Sequence, residues 1–167
     1  MGRMILLMLA LAFVGCERDP LPVTCVSGLV VTELSRVKGD EWVEIAVVAD
    51  RPQDLLGLNI EAKNLDGSAL RIATVREASG LLPPGSRVVV DHLEQLSGRT
   101  TFLPESGILE LVACGEVLDR LTWRKMPDFG SLALSGSAPL DPVGNDDERL
   151  WCATDTPTKG QENPPCQ

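Results

Sequence analysis

Residues Ile108 to Trp123 read ILELVACGEVLDRLTW. Two runs rich in β-branched and apolar residues, Ile108 to Val112 and Glu116 to Trp123, flank Cys114-Gly115, which suits the tight turn of an antiparallel hairpin. Within the second run, Val117, Asp119, Leu121 and Trp123 fall on one face by alternation. Asp119 therefore sits among apolar neighbours. A carboxylate in that position needs hydrogen-bond donors, and backbone N–H groups of a nearby loop are the expected source. Such an acid either organises a loop or serves as a catalytic or metal-binding group, and the loop-organising role is the expectation here. Glu33 poses the same choice.

Working outward from the hairpin, short strand-like runs recur between Gly, Pro, Asn and Asp. They are Leu29 to Leu34, Glu41 to Ala49, Leu58 to Lys63, Ala69 to Val75, Arg87 to Asp91, Ser131 to Leu134 and Leu150 to Ala153. No helix-period segment of useful length follows Pro20. Eight or nine short strands predict an all-β antiparallel sandwich or barrel. At 167 residues the chain has room for one such domain. Aromatic residues make up only 4 % and Tyr is absent, so the core must rest on Val, Leu, Ile and Ala. Trp42, Trp123 and Trp151 are expected to staple it.

The N-terminus reads differently. Arg3 precedes Met4 to Val14 (MILLMLALAFV), an uncharged apolar run too short for a transmembrane helix, which takes roughly 20 residues. It has the form of a signal peptide over residues 1–15. Phe13-Val14-Gly15-Cys16 resembles a bacterial lipobox. The resemblance implies that Cys16 is lipidated and becomes the mature N-terminus, anchored durably by several acyl chains. Residues 16–27 are then a tether and 28–167 the domain. Loss of Met1 to Gly15 removes one Arg and no acid, moving the formal charge from −9 to about −10. So acidic a chain argues against nucleic-acid partners.

Five cysteines are present, an odd number for an exported protein. With lipid on Cys16, four remain for two disulfides. Three pairings are possible; the one expected is Cys25–Cys166, tying the domain's ends, with Cys114–Cys152. No zinc-type spacing occurs, and no metal is expected.

Several segments, in order, resemble the lamin-tail domain, an immunoglobulin-like β-sandwich. They are Val31-Thr32-Glu33-Leu34; Glu41-Trp42-Val43-Glu44-Ile45; Leu55-Leu56-Gly57-Leu58; Leu82-Pro83-Pro84-Gly85; Gly115-Glu116-Val117-Leu118-Asp119; Gly130-Ser131-Leu132; and Trp151-Cys152-Ala153 with Thr156-Pro157, Gly160 and Asn163. The likeness spans roughly Leu29 to Asn163. It implies a scaffold for interaction, often with proteins and proposed for nucleic acid or membrane association, and supplies no catalytic motif.

Chemistry-bearing motifs are sparse. His92 is the sole histidine and adjoins Asp91; Ser131 lies in no nucleophile elbow. No phosphate-binding glycine loop is present. Asp141 to Arg149 (DPVGNDDER) clusters oxygens of the kind calcium favours, but without EF-hand spacing. The reading is a lipid-anchored protein of the bacterial cell envelope, at the outer membrane rather than the inner. Its domain is a non-catalytic binding or structural module with a protein partner and no cofactor. The alternatives are a subunit of a larger surface assembly, or an envelope hydrolase using Asp119, Glu33 or the Asp141–Glu148 loop.

Overall fold

Alternation sets the layers. In strand β2 (Asp40–Val47), Val43, Ile45 and Val47 join one buried apolar cluster, while Trp42, Glu44 and Ala46 face the other way. The computed structural model describes residues 25–166. The expected signal peptide with its helix, the lipidation position Cys16 and the stretch to Thr24 lie outside the described residues.

Besides β2, the strands are β1 (Leu29–Val37), β3 (Asn59–Lys63), β4 (Arg71–Thr74), β5 (Arg87–Val90), β6 (Gly107–Ala113), β7 (Glu116–Trp123), β8 (Ser131–Leu134) and β9 (Trp151–Thr154). One helical turn, α1 (Leu93–Leu96), follows β5, and two 3-10 turns, Gly144–Asp146 and Glu148–Leu150, precede β9. The strands form two antiparallel sheets, ordered β5-β2-β1-β8-β9 and β4-β3-β6-β7. The protein is an all-β antiparallel sandwich. Its core comes from both inner faces, with Leu29, Val31, Leu34 and Ile45 against Ile60, Leu109, Leu111 and Trp123.

Strands β6 and β7 form the expected hairpin. Ala113 pairs with Glu116, leaving a two-residue turn in which Cys114 (φ 51°) and Gly115 (φ 83°) both adopt positive φ. The face assignment at its start changes, however. A bulge sets Val112 against Val117 but Leu111 against Asp119, so Val117 is exposed while Asp119, Leu121 and Trp123 are buried.

A second bulge lies in β1. Val31 pairs with Ile45 and Glu33 with Glu44, so Thr32 is the extra residue. Without it, Glu33 would share the inner face with Leu29 and Val31. The bulge turns Glu33 to the outer face and returns Leu34 to the core.

The outer face of the β1–β2 sheet is covered by the C-terminal segment, residues 156–166. Thr158 donates from N and Oγ1 to the Glu33 carboxylate. Gly160 N donates to Glu44 Oε2 at 2.6 Å. Asn163 Nδ2 donates to both Thr32 O and Leu134 O at 2.9 Å, bridging β1 and β8. Lys159 Nζ sits 4.9 Å above the Trp42 ring. Trp42 is thus buried beneath this strap and not in the inner core, a departure from the expected role of the three indoles. Trp123 does lie in the core, and Trp151 packs half-buried at its rim.

The disulfides are Cys25–Cys114 and Cys152–Cys166, with Cα–Cα distances of 6.1 and 5.8 Å. This corrects the expected Cys25–Cys166 and Cys114–Cys152. The start of β1 and the β6–β7 turn share one end of the sandwich, which brings Cys25 to Cys114. The strap runs back beside β8, where Cys166 N donates to Ser135 Oγ and Cys152 pairs with Ala133, so the two C-terminal cysteines meet. Three residues expected to belong to a tether pack with the sandwich instead. Val26 is buried in the core and Ser27 N donates to Gln53 Oε1, so residues 25–27 belong to the domain.

Candidate functional site

Asp119, on β7, meets the earlier half of β1 across the sandwich. β8 pairs with only Glu33 and Leu34 of β1, leaving the earlier half of β1 without a strand on that side. Asp119 Oδ2 accepts from Val31 N at 2.7 Å, and from Asn145 Nδ2 at 2.9 Å. The same Asn145 amide reaches Val31 O at 3.3 Å. The two side chains thereby replace the missing strand for one residue of β1. Burial pushes the Asp119 carboxyl up to about 6, against the lowering effect of its donors. Its Oδ1 is buried without a hydrogen-bond partner. Asn145 O in turn accepts from Trp151 Nε1 at 2.6 Å. The carboxylate thus holds the Asn145 loop against β1, but its backbone donor lies on a strand and the loop contributes a side-chain amide, not the loop N–H groups expected.

Three other buried acids, Glu33, Glu44 and Glu41, are held in similar ways. Glu33 accepts from Ser131 Oγ as well as from Thr158. Glu44 accepts from Thr32 Oγ1 at 2.6 Å and pairs with Arg87 at 3.0 Å. Glu41 accepts from the backbone N–H groups of Phe102 and Leu103, and burial raises its carboxyl above the usual range. Sequence reasoning passed over Glu41 and Glu44. Alternation across β2 marks Glu44 as an outer-face residue, but only the returning strap explains why that face is buried.

In the Asp141–Glu148 loop, Asp141 Oδ1 accepts from Val143 N and Gly144 N, an Asx-type turn. Asp147 is clamped by Arg149, whose guanidinium lowers its carboxyl to about 2. Glu148 pairs with Arg124 at 3.1 Å. Among the described residues, no group of three or more His, Cys, Asp or Glu side chains is placed to hold a metal. Asn145 brings this loop to Asp119, whereas Glu33 is on the opposite face of its sheet. His92 (φ 52°) follows β5 with its Nδ1 3.8 Å from Glu94 Oε1, while Ser131 is on β8, with β2 and β1 between.

The surface of the described residues carries several concavities, two of which bear on binding. One, of about 680 Å³, lies beside the Glu44–Arg87 pair and is walled by Val47, Pro84, Leu140 and Glu162. The other, of about 400 Å³, runs between β7 and β9, each the outermost strand of its sheet. Trp123, Leu132 and Trp151 form its apolar part, and Arg124, Lys125, Glu148 and Arg149 stand around it. An apolar floor with a charged rim at paired sheet edges suits recognition of an extended chain or a loop.

No family model matches the chain, and no curated protein matches it.

Proposed function

We propose that this chain is a lipid-anchored cell-envelope protein whose sandwich is a non-catalytic binding module of lamin-tail type. The anchor is lipid on Cys16, the outer membrane is its place, and the partner is a protein. The observation that carries the binding reading is the groove between β7 and β9, where the outermost strands of the two described sheets flank the half-buried Trp151 indole and a rim of Arg124, Lys125, Glu148 and Arg149. The use of Asp119, Glu33 and Glu44 to hold backbone and strap supports a scaffold role for the acids. Two disulfides support an oxidising compartment.

The test is capture from a detergent extract of the cell envelope, using the mature chain and its R124E/K125E variant. Both side chains stand at the groove rim, so the variant should keep its melting temperature. The expected result is one saturable protein retained by the unmodified chain and lost by the variant. Mass measurement of the mature chain should show acyl groups on Cys16. Equal capture by both forms, or an unmodified Cys16 in a soluble chain, would sink the reading.

A further inference from the structure

We infer that the end of the sandwich closed by the Cys25–Cys114 disulfide rests against the bilayer, with Leu56, Leu81 and Val117 touching the lipid surface. The inference builds on the reading of Cys16 as the lipidated residue.

Nine residue steps separate Cys16 from Cys25, a span of at most about 30 Å when fully extended. A domain of this length is roughly 35–40 Å across. The tether is therefore shorter than the body it holds, and the point of attachment decides which end is kept near the membrane. That point is fixed. Cys25 is bonded to Cys114 in the β6–β7 turn, and Val26 is packed in the core.

The register of both sheets identifies what else is at this end. Leu29 pairs with Val47, Ala46 with Arg87, and Gly85 N donates to Val47 O. In the other sheet, Asn59 pairs with Val112 and with Thr74, and Val112 with Val117. The loop carrying Leu56 enters β3 here, and Leu82 bridges to Gln53, which puts Leu81 beside it. Leu81 is 76 %, Leu56 56 % and Val117 54 % exposed. Single exposed apolar residues are ordinary on a protein surface. These three differ because they stand together at the end to which the tether leads, Leu56 and Leu81 on two loops and Val117 at the start of β7. The charged residues among them are Asp50, Arg51, Asp54, Arg76, Glu77 and Glu116, four acids against two bases, so the described residues at this end form no cationic patch. The surface is therefore suited to apolar contact at the headgroup boundary more than to attraction by anionic lipid.

The experiment compares amide hydrogen exchange in two forms of the mature chain. One is lipidated and reconstituted in vesicles of phosphatidylethanolamine and phosphatidylglycerol. The other carries C16S and is measured beside the same vesicles. Segments 55–58, 80–86 and 114–118 should exchange roughly fivefold more slowly, or better, in the anchored form alone. Segments 64–68 and 124–130, at the far end and bearing the equally apolar Leu65 and Phe129, serve as the internal control and should not change. In the lipidated L56D/L81D/V117D variant the protection should disappear, while β1, β2 and β6 keep their slow exchange and show that the fold is intact. Added salt should leave the protection in place. An acylated Cys16 with these loops unprotected, or with protection at the far end, overturns this inference alone. A Cys16 without acyl chains overturns it together with the reading beneath it.

Discussion

Asp119 combines burial, two donors and a carboxyl displaced to about 6. Because its folded value lies above the usual 3.8, the protonated form is favoured in the fold. The stability tied to Asp119 is therefore fully present below about pH 4 and is lost as pH rises through about 6, by on the order of 2 kcal/mol. An Asp119→Asn variant keeps an acceptor for Val31 N–H and cannot ionise. Its melting temperature relative to the unmodified chain should thus rise between pH 4 and pH 7, by roughly 5 °C. A constant difference across that range would show that Asp119 does not titrate as described. Asp119→Ala leaves the Val31 N–H and the Asn145 amide without an acceptor and should cost about 2–4 kcal/mol in urea unfolding at pH 7. The alternation of one strand was enough to mark Asp119 as a buried acid in need of backbone donors. Its partners were not legible. Val31 and Asn145 lie 88 and 26 residues away, and only packing brings them together.

At the level of elements, the strands were readable because their period is two and their turns carry Gly, Asn and Asp. What escaped was anything that breaks the period by one residue. Thr32 shifts the register in β1, so the face of Glu33 could not be inferred from Leu29 and Val31. Leu118 does the same in β7 and turns Val117 outward. The strap was invisible for another reason: residues 156–166 have no period, and they are ordered by side chains of distant strands. They hold Glu33, Glu44 and Trp42 away from water while their own end is fixed by Cys152–Cys166. A C152S/C166S variant should lose about 3 kcal/mol, the value expected for closing a loop of this length. Exchange of the Thr158 and Gly160 amides should then approach that of open loops, while β1 and β2 remain protected. Full retention of protection would mean that the hydrogen bonds to Glu33 and Glu44 hold the strap without the bridge.

For the whole molecule, the disulfides differ in what they close. Cys25–Cys114 spans 89 residues and Cys152–Cys166 spans 14. On the chain-entropy account the longer closure contributes about 4–5 kcal/mol and the shorter about 3. Together they rival the total stability of a domain, which is about 5–15 kcal/mol. With aromatics at 4 %, the core has few large side chains to compensate for their loss. The fold should therefore depend on an oxidising compartment. C25S/C114S should lower the urea midpoint more than C152S/C166S, and it also frees Val26 from the core edge. The chain with all four of these cysteines reduced should unfold at far lower urea than the oxidised chain. The measurement is urea unfolding followed by tryptophan fluorescence, because Trp42 and Trp123 are both buried and report on the strap and the core separately. Equal midpoints for reduced and oxidised chains would show that the sandwich carries its stability without the bridges. A larger loss from the shorter loop would show that the strap contributes more than chain entropy assigns to its disulfide.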